Sequence, residues 1–400
     1  MASASKPAKK FEVLVLNPIA QLGLQRLPAE RYEVVKESRS PDVILVRSQD
    51  MHGMKFGAAL KAVGRAGAGV NNIPVAELSK LGVPVFNAPG ANANAVKELV
   101  VAGLLIAARN LAPALEFVRH LDAKEKDLEK KVEAGKKAYA GFELPGHTLG
   151  VIGLGKIGSL VADAAIRLGM HVLGYDPEIT VDAAWSLPAQ VRKANSIEEV
   201  LKASDFVTLH VPLSDKTRNL LSAKSLKHMQ RGAVLLNFSR DGVVEDAAVL
   251  KAIEAKQLRC YVTDFPTAGL AGKAGVVALP HLGASTREAE DNCAIMVVDQ
   301  VTEYLAHGSM VNAVNFPDTQ MPRESPYRLA IANANVPNML ARISQAMGDR
   351  GINIHNMLNK SRREMAYTLV DVDSPVPEAA LEELRAISGV LAVRYLPAEA

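Results

Sequence analysis

The stretch that decides the fold reads Thr148-Leu-Gly-Val-Ile-Gly153-Leu-Gly155-Lys-Ile-Gly158. Apolar residues before the first glycine predict a buried strand, and apolar residues from Lys156 to Leu168 recur at helical spacing. In such a G-x-G-x-x-G loop, Gly153 permits the tight turn and Gly155 lets a phosphate approach the backbone, while Gly158 lets the helix pack on the strand. The free N–H groups that begin this helix attract anions. The stretch therefore predicts a dinucleotide-binding unit, with Lys156 and Ile157 among the cofactor contacts.

An acidic residue follows where the ribose of the dinucleotide would be bound. Asp176 ends a second predicted strand, His171 to Tyr175, about 20 residues after the last glycine of the loop, as the motif requires. Its carboxylate can accept hydrogen bonds from both ribose hydroxyls and would repel a 2′-phosphate. Residues 177–180 contain no arginine that could bind this phosphate. The sequence therefore predicts NAD as the cofactor in preference to NADP.

The pattern of strands and helices predicts three structural regions. Short apolar strands alternate with helical segments from Phe11 to Asn87, and again from about Val96 to Leu282. After a proline-rich stretch, residues 327–396 have the order βαββαβ of a ferredoxin-like domain. We therefore predict an α/β fold with two doubly wound Rossmann- or flavodoxin-like domains, followed by a C-terminal ferredoxin-like α+β domain.

The composition argues against several classes of partner. The formal charge is only +3 and no basic tract occurs, which is atypical of nucleic-acid binding. The longest apolar run, Leu99 to Ala108, is far shorter than the roughly 20 residues of a membrane span. The two cysteines, Cys260 and Cys293, form neither a disulfide framework nor a metal-binding spacing. We therefore expect no nucleic acid, membrane or metal partner, and a cytoplasmic location.

Several further motifs resemble those of the D-isomer-specific 2-hydroxyacid dehydrogenases. They occur in family order between about residues 11 and 317, and residues 327–396 look like an ACT domain. The resemblance implies a discontinuous substrate-binding domain, residues 1–95 plus 284–316, around an NAD-binding domain at 96–283. It also implies a linker at 317–326 and an ACT-like regulatory domain at 327–400. Besides the glycine loop, the motifs are Val43-Ile-Leu-Val-Arg47-Ser48, Gly67-Ala-Gly-Val-Asn-Asn-Ile73, Val85-Phe-Asn-Ala-Pro-Gly90, Leu209-His-Val-Pro212, Asn237-Phe-Ser-Arg240 and Pro280-His-Leu-Gly-Ala-Ser285.

The resemblance assigns the catalytic roles to two residues. Arg240 is expected to bind the substrate carboxylate and polarise the reacting carbonyl, because a guanidinium is always charged and offers a fork of donors. His281 is expected to be the general acid-base, since imidazole can both give and take a proton near neutral pH.

The resemblance also implies contacts around these two residues. Arg47 and Ser48 match the family residues that bind the substrate phosphate and carboxylate, and Asn92 and Lys136 match further substrate contacts. Lys136 lies beside Lys137 in a charged stretch, so a solvated surface lysine is an equal alternative. Asp264 matches the acid that holds the nicotinamide carboxamide. The other expected cofactor contacts are Thr208, Pro212, Asn237 and Gly283.

One position departs from the family pattern. The family glutamate that hydrogen-bonds the catalytic histidine is replaced here by Ala268, and between Glu254 and Glu288 the only carboxylate is Asp264. A carboxylate beside an imidazole stabilises its protonated form and fixes its tautomer. We therefore expect the reductive direction, which needs protonated His281, to be weakened, while oxidation keeps its base.

The resemblance implies an activity but leaves alternatives open. The branch of the family that matches this chain oxidises D-3-phosphoglycerate with NAD to 3-phosphohydroxypyruvate, the first step of L-serine synthesis. Glycerate, lactate or 2-hydroxyglutarate are alternative substrates. A non-catalytic NAD-binding regulator that kept the fold and lost the triad is an alternative from another class.

The C-terminal domain is expected to be regulatory. In ACT domains of this kind L-serine binds through side chains at strand ends, and Asn333, Asn335 and Asn353 occupy the matching positions. Asparagines at such places are also common as turn or cap residues. The resemblance further implies a homodimer through the NAD-binding domains, or a homotetramer if ACT domains also pair.

Overall fold

The computed structural model describes residues 10–122, 124 and 126–398. Its secondary structure contains three sheets. The described chain forms two compact units: the first holds residues up to Asn92 and from Glu290 onward, and the second holds Ala93–Ala289. The finer division of the first unit into a substrate-binding domain, a linker and an ACT-like domain stays a prediction.

A short 3₁₀ helix covers Lys136–Tyr139. In chain order the other elements are β1 (Phe11–Val15), α1 (Gln21–Leu24), β2 (Tyr32–Val35), β3 (Val43–Val46), β4 (Ala62–Arg65), α2 (Val75–Lys80), β5 (Val85–Phe86), α3 (Ala93–Ala108), α4 (Leu111–Arg119), α5 (Leu128–Gly135), β6 (Thr148–Ile152), α6 (Lys156–Arg167), β7 (His171–Tyr175), α7 (Val181–Trp185), β8 (Arg192–Lys193), α8 (Ile197–Ala203), β9 (Phe206–Leu209), α9 (Ala223–Leu226), β10 (Ala233–Asn237), α10 (Asp246–Glu254), β11 (Leu258–Thr263), β12 (Val276–Ala278), α11 (Arg287–His307), β13 (Tyr327–Ala334), α12 (Met339–Gly348), β14 (Ile354–Arg362), β15 (Met365–Val372), α13 (Glu378–Ala386) and β16 (Val390–Pro397).

The first unit begins with a five-stranded parallel sheet in the order β2-β1-β3-β4-β5. Strand β3 is buried along its whole length, as expected when both faces of a parallel sheet are covered. Strand β4 contains Gly64, where an added Cβ would lie only 2.8 Å from side chains of Leu45 and Val297. Glycine therefore allows the chain of α11 to pack closely on this sheet.

The second unit is built on a seven-stranded parallel sheet in the order β12-β11-β10-β9-β6-β7-β8. The chain starts at β6 and runs first to one side through β7 and β8, then to the other side through β9. The order of the strands therefore reverses beside β6, and ligands of such sheets bind at the carboxyl ends of the strands near this point. The glycine loop directly follows β6, so the predicted Rossmann-type architecture is confirmed.

The C-terminal part of the first unit has a separate antiparallel sheet in the order β14-β15-β13-β16. With α12 and α13 it has the predicted βαββαβ order, so the ferredoxin-like prediction is confirmed. Asn338 has left-handed backbone angles (φ 67°), and α12 begins directly after it, at Met339.

One buried arginine joins the C-terminal sheet to the chain that leads into it. Arg328 on β13 is 1% exposed and forms a two-pronged ion pair with Asp371 on β15, at 2.6 and 2.8 Å. Its remaining donors bind the backbone carbonyl oxygens of His307, Met321 and Pro322. The segment predicted as a linker is thus hydrogen-bonded to the sheet that follows it.

No single helix of the described chain is both long and apolar enough to span a membrane. Only α3 and α4 together, bent by 70°, reach that length and composition.

We predict that Arg328→Met lowers the free energy of unfolding by about 3–5 kcal/mol, because it leaves the buried Asp371 carboxylate without its cation. Denaturant titration of the full chain measures the change. The control is Arg350→Met, which breaks the exposed ion pair with Glu383 and should cost less than about 1 kcal/mol. Equal small losses in both variants would contradict the role given to Arg328.

Candidate active site

The three glycines of the loop after β6 have different packing environments. Gly153 has φ 92°, and an added Cβ would lie 2.5 Å from the carbonyl oxygen of His210. At Gly158 an added Cβ would lie 1.9 Å from the carbonyl oxygen of Gly153. At Gly155 no protein atom lies within 4 Å of an added Cβ. The loop therefore leaves open space at Gly155, beside the first N–H groups of α6, where a diphosphate can approach the backbone.

Asp176 is held beside this loop by two backbone donors. One carboxylate oxygen accepts the N–H of Leu154 and the other accepts the N–H of Glu178, both at 2.9 Å. The side chain is half-buried, so it keeps acceptor capacity for a ribose. Lys156 is exposed and Ile157 packs against the core, as expected for the first turn of α6.

Asn237, at the end of β10, organises the segment that carries Arg240. Its side-chain oxygen accepts hydrogen bonds from the N–H and the hydroxyl of Ser239. Its amide donates to the carbonyl oxygen of Arg240 at 3.0 Å and to the Tyr261 hydroxyl at 3.3 Å. Because Asn237 is only 2% exposed, the structure gives it a supporting role beneath Arg240 in addition to the predicted place near the cofactor.

Arg240 itself is exposed. Its Nη1 donates to the carbonyl oxygen of Ser239 at 2.7 Å, and no carboxylate pairs with its guanidinium among the described residues. A fixed backbone and an unneutralised guanidinium are the features that a carboxylate-binding arginine needs.

Asp264 follows β11 and holds the loop that carries His281. Its two carboxylate oxygens accept the N–H groups of Leu282 and Gly283 at 2.7 Å, and its carbonyl oxygen accepts the N–H of His281. Burial raises the pKa of the Asp264 carboxyl, while these backbone donors act in the opposite direction. The side chain is 1% exposed, so its contact with nicotinamide stays a prediction, whereas its support of the loop is observed.

His281 is presented in a strained backbone conformation. Its φ is 57°, in the left-handed region that a non-glycine residue rarely adopts, and its side chain is exposed. The ring packs edge-on against Phe265, with ring centroids 5.0 Å apart. Strain of this kind often marks a functional position.

The expected orienting acid is also missing from the structure. Within residues 10–122, 124 and 126–398, no carboxylate forms an ion pair or a side-chain hydrogen bond with the His281 ring. Ala268 is exposed, and the neighbouring Thr267 hydroxyl donates instead to Asp246 at 2.7 Å. The loop that should carry the acid is therefore anchored, but without a partner for the histidine.

The sequence analysis missed the role of His210, which follows β9. Its ring nitrogen Nε2 lies 3.0 Å from the hydroxyl of Thr208, a residue that is completely buried. Burial lowers the pKa of His210 to about 3, so this ring is neutral at physiological pH. Its buried Nδ1 has no hydrogen-bond partner in the described chain. Pro212 is exposed and follows directly after this site.

In the first unit, Arg47 and Ser48 follow β3 and are joined by Asn17, which lies two residues beyond the end of β1. The Asn17 amide oxygen accepts the N–H of Arg47 at 2.9 Å, and its amide donates to the Ser48 hydroxyl at 3.1 Å. The Arg47 guanidinium forms an ion pair with Glu290 on α11 at 2.7 Å. The sequence analysis missed both partners, because no local signal pairs position 17 or position 290 with position 47.

The two other predicted substrate contacts have few interactions. Asn92 is half-buried and lies directly before α3. Lys136 is exposed on the short 3₁₀ helix and forms an ion pair with Glu133. Their roles in substrate binding stay predictions.

The asparagines predicted to bind an effector fall into two groups. Asn333 and Asn335 line a cavity of about 220 Å³ at the end of β13. A buried chain of hydrogen bonds runs there from Asn359 through Thr368 to Asn333. Asn353 does not line this cavity, and its exposed amide donates to Asp373.

Comparisons with known proteins agree with this geometry. Residues 111–283 match the model for the NAD-binding domain of D-isomer specific 2-hydroxyacid dehydrogenases. The chain is 31% identical over 427 residues to D-3-phosphoglycerate dehydrogenase of Escherichia coli, covering 99% of this chain and 100% of that protein. It is 34% identical over 327 residues to the Bacillus subtilis enzyme of the same name, covering 77% of this chain and 59% of the relative.

Solved structures show the same fold. An NAD⁺-bound 3-phosphoglycerate dehydrogenase of Entamoeba histolytica matches with a TM-score of 0.58 and 22% identity, covering 76% of this chain and 99% of that one. The TT0316 protein of Thermus thermophilus matches with a TM-score of 0.61 and 26% identity, covering 76% and 100%.

We predict different effects for alanine at two positions of the glycine loop. Gly155→Ala should leave thermal stability unchanged, because its Cβ enters open space. It should raise the dissociation constant for NAD by about tenfold or more, because the diphosphate would lie in that space. Gly158→Ala should lower the free energy of unfolding by about 1–3 kcal/mol, because its Cβ overlaps the Gly153 carbonyl. Thermal unfolding and NAD titration of both variants measure the two effects. Loss of stability in Gly155→Ala would contradict the assignment.

Proposed function

Because this chain belongs to the D-isomer-specific 2-hydroxyacid dehydrogenases and is an NAD-dependent dehydrogenase, we propose that it oxidises D-3-phosphoglycerate to 3-phosphohydroxypyruvate. This reaction is the first step of L-serine synthesis. The proposal rests on one observation: Arg240 and His281 are each held by a hydrogen bond between their own backbone and a buried residue. This residue is Asn237 for Arg240 and Asp264 for His281.

The proposed mechanism uses few groups of the chain. Arg240 binds the substrate carboxylate through its fork of donors, and its charge stabilises the carbonyl oxygen that forms. His281 takes the proton from the substrate hydroxyl as general base. NAD, when bound, would supply the acceptor for the hydride that leaves the carbon bearing this hydroxyl, so the proton and the hydride are both accounted for. The left-handed backbone at His281 and the support from Asp264 hold the ring in place, so the proton acceptor is positioned before substrate binds.

The residues of the second unit suit the dinucleotide. Gly155 and the first turn of α6 would hold the diphosphate, and Asp176 would accept from the ribose hydroxyls. Asp176 is already fixed by two backbone donors. It would therefore present its negative charge to any 2′-phosphate, which supports NAD over NADP.

The first unit supports a phosphorylated substrate. Arg47 and Ser48 are held in adjacent positions by one asparagine, and together they offer a cation and a hydroxyl to a phosphate. Arg47 must then share its charge between the phosphate and Glu290. Glycerate, lactate or 2-hydroxyglutarate lack the phosphate that this pair would bind, so they are the weaker candidates.

A non-catalytic NAD-binding regulator is the second candidate. It is favoured by the absence of a carboxylate beside the His281 ring in the described chain. It is opposed by the ordered presentation of Arg240 and His281, for which a regulator has no use. Formation of NADH from D-3-phosphoglycerate at pH 9 would exclude it.

Regulation by L-serine stays a proposal for the cavity beside Asn333 and Asn335. In this proposal Asn353 of a second copy of the chain would complete the site, since within one chain it lies apart from that cavity. Isothermal titration with L-serine tests it, and no heat at millimolar ligand would count against it.

A homodimer through the second unit, extended to a tetramer in the presence of paired C-terminal domains, is likewise our proposal. Leu111, Leu115 and Val118 on α4 are 40–61% exposed, and no residue of this helix is buried within the chain.

A cytoplasmic location is supported by the two cysteines, Cys260 and Cys293, both of which are free.

We predict that D-3-phosphoglycerate is oxidised with a higher kcat/KM than D-glycerate, and that Arg47→Ala removes this preference. Loss of a charged phosphate contact should lower kcat/KM for D-3-phosphoglycerate by about 10- to 100-fold and leave D-glycerate nearly unchanged. Initial rates of NADH formation measure both. Arg26→Ala, which breaks an exposed ion pair with Asp299 of the same unit, is the control. A wild-type preference for D-glycerate would contradict the proposed substrate.

We predict that Ala268→Glu moves the pH profile of oxidation upward. The new carboxylate would stabilise protonated His281, so the neutral ring that oxidation needs would appear only at higher pH, while reduction would persist to higher pH. The expected displacement is about one pH unit, from rates in both directions between pH 6 and 9. Ala271→Glu adds the same charge to the same exposed loop and should leave the profile in place. Identical profiles for wild type and Ala268→Glu would overturn the account of the missing acid.

A further inference from the structure

A cleft of about 690 Å³ lies in the first unit between its parallel sheet and its C-terminal sheet. Loops 56–61 and 80–83 form one wall, and β16 with Arg385 of α13 forms the other, while Tyr304 of α11 lies between them. None of the residues predicted to bind substrate, NAD or serine lines this cleft. Its volume is within the range of about 300–1,000 Å³ typical of small-molecule sites.

The charged residues that line the cleft all have the same sign. They are Lys61, Lys80, Arg385 and Arg394, and no aspartate or glutamate is among the lining residues. Two of these cations have carboxylate partners: Lys61 pairs with Asp42 at 2.5 Å and Arg385 pairs with Glu378 at 2.6 Å. Those two acids largely cancel the charge of their partners.

The other two cations are not neutralised. Neither Lys80 nor Arg394 forms an ion pair with a carboxylate in the described parts of the chain. Arg394 is fixed in place, because its guanidinium donates to the carbonyl oxygens of Tyr304 and Leu305 and lies 4.5 Å from the centre of the Tyr304 ring. It keeps further N–H donors for a ligand, since a guanidinium has five. The cleft therefore carries an excess of about two positive charges.

Apolar side chains complete the walls. Phe56, Leu60 and Leu81 line one side and Leu391 lines the other. A cleft with two unneutralised cations and an apolar wall matches a ligand that carries a phosphate on an organic body.

We propose that this cleft binds a small organic phosphate, with Lys80 and Arg394 as the main phosphate contacts. Such a ligand would contact both the parallel sheet and the C-terminal sheet of the first unit. Its binding would therefore stabilise the packing between them, in addition to the hydrogen bonds that Arg394 already makes to α11.

The test measures binding of pyrophosphate to the full chain with NAD present at saturation, which fills the diphosphate site proposed at Gly155. It uses the Arg47→Ala background, which removes the phosphate contact proposed for the substrate. Isothermal titration should find one pyrophosphate site per chain. Adding Lys80→Glu should weaken it by about tenfold or more, because an attraction becomes a repulsion. Lys227→Glu makes the same charge change on a surface of the second unit and should leave the affinity within about twofold.

A chemical footprint locates the site independently. With pyrophosphate bound, acetylation of Lys80 should slow while acetylation of Lys227 should not. Equal weakening by Lys80→Glu and Lys227→Glu would show attraction to net charge alone and would overturn the proposal. Absence of any pyrophosphate site, or a site without protection of Lys80, would overturn it too. Because no step of this test uses catalysis, its failure would leave the proposed dehydrogenase activity untouched.

Discussion

The candidate active site depends on two buried polar side chains at neighbouring strand ends: Asn237, the last residue of β10, and Asp264, the first residue after β11. Each is at most 2% exposed, and each uses its side chain to fix a loop that turns away from the sheet. The backbones of the two residues are themselves joined, since the N–H of Asp264 donates to the carbonyl oxygen of Asn237 at 3.1 Å. Buried polar groups must be hydrogen-bonded, so neither loop can shift without leaving such a group unsatisfied. This coupling holds Arg240 and His281 as one assembly.

The parts of the structure that could be predicted from sequence depend on local patterns. The glycine loop, the alternation of strands and helices around it and the βαββαβ tail all follow from residues close together in the chain. The short strands β4, β8 and β12 were missed, because two to four residues are too few to show a periodicity. Strand β11 ends at Thr263, so Asp264 lies just beyond the strand, where it can bind the loop of His281.

The missed site residues share a different cause. Asn17 acts on Arg47 and Ser48 about 30 residues away, and Glu290 meets Arg47 across more than 200 residues. His210 was part of a quoted motif, but only its burial shows that its ring must stay neutral. Such contacts depend on tertiary packing, which a single sequence without related sequences does not reveal. Arg328 is a similar case, since its sequence context gives no sign that it bonds three backbone carbonyls and a buried carboxylate.

No carboxylate of the described residues pairs with the His281 ring, but the loop beneath the ring is still held by Asp264. In this account, the backbone bonds to Asp264 replace the positional role of the missing acid, whereas its electrostatic role is lost. A crystal structure of the chain with NAD and D-3-phosphoglycerate tests this most directly. We expect the substrate carboxylate on the Arg240 guanidinium and the substrate hydroxyl about 2.6–3.2 Å from a ring nitrogen of His281. A carboxylate bound away from Arg240, or a His281 ring turned away from the hydroxyl, would contradict it.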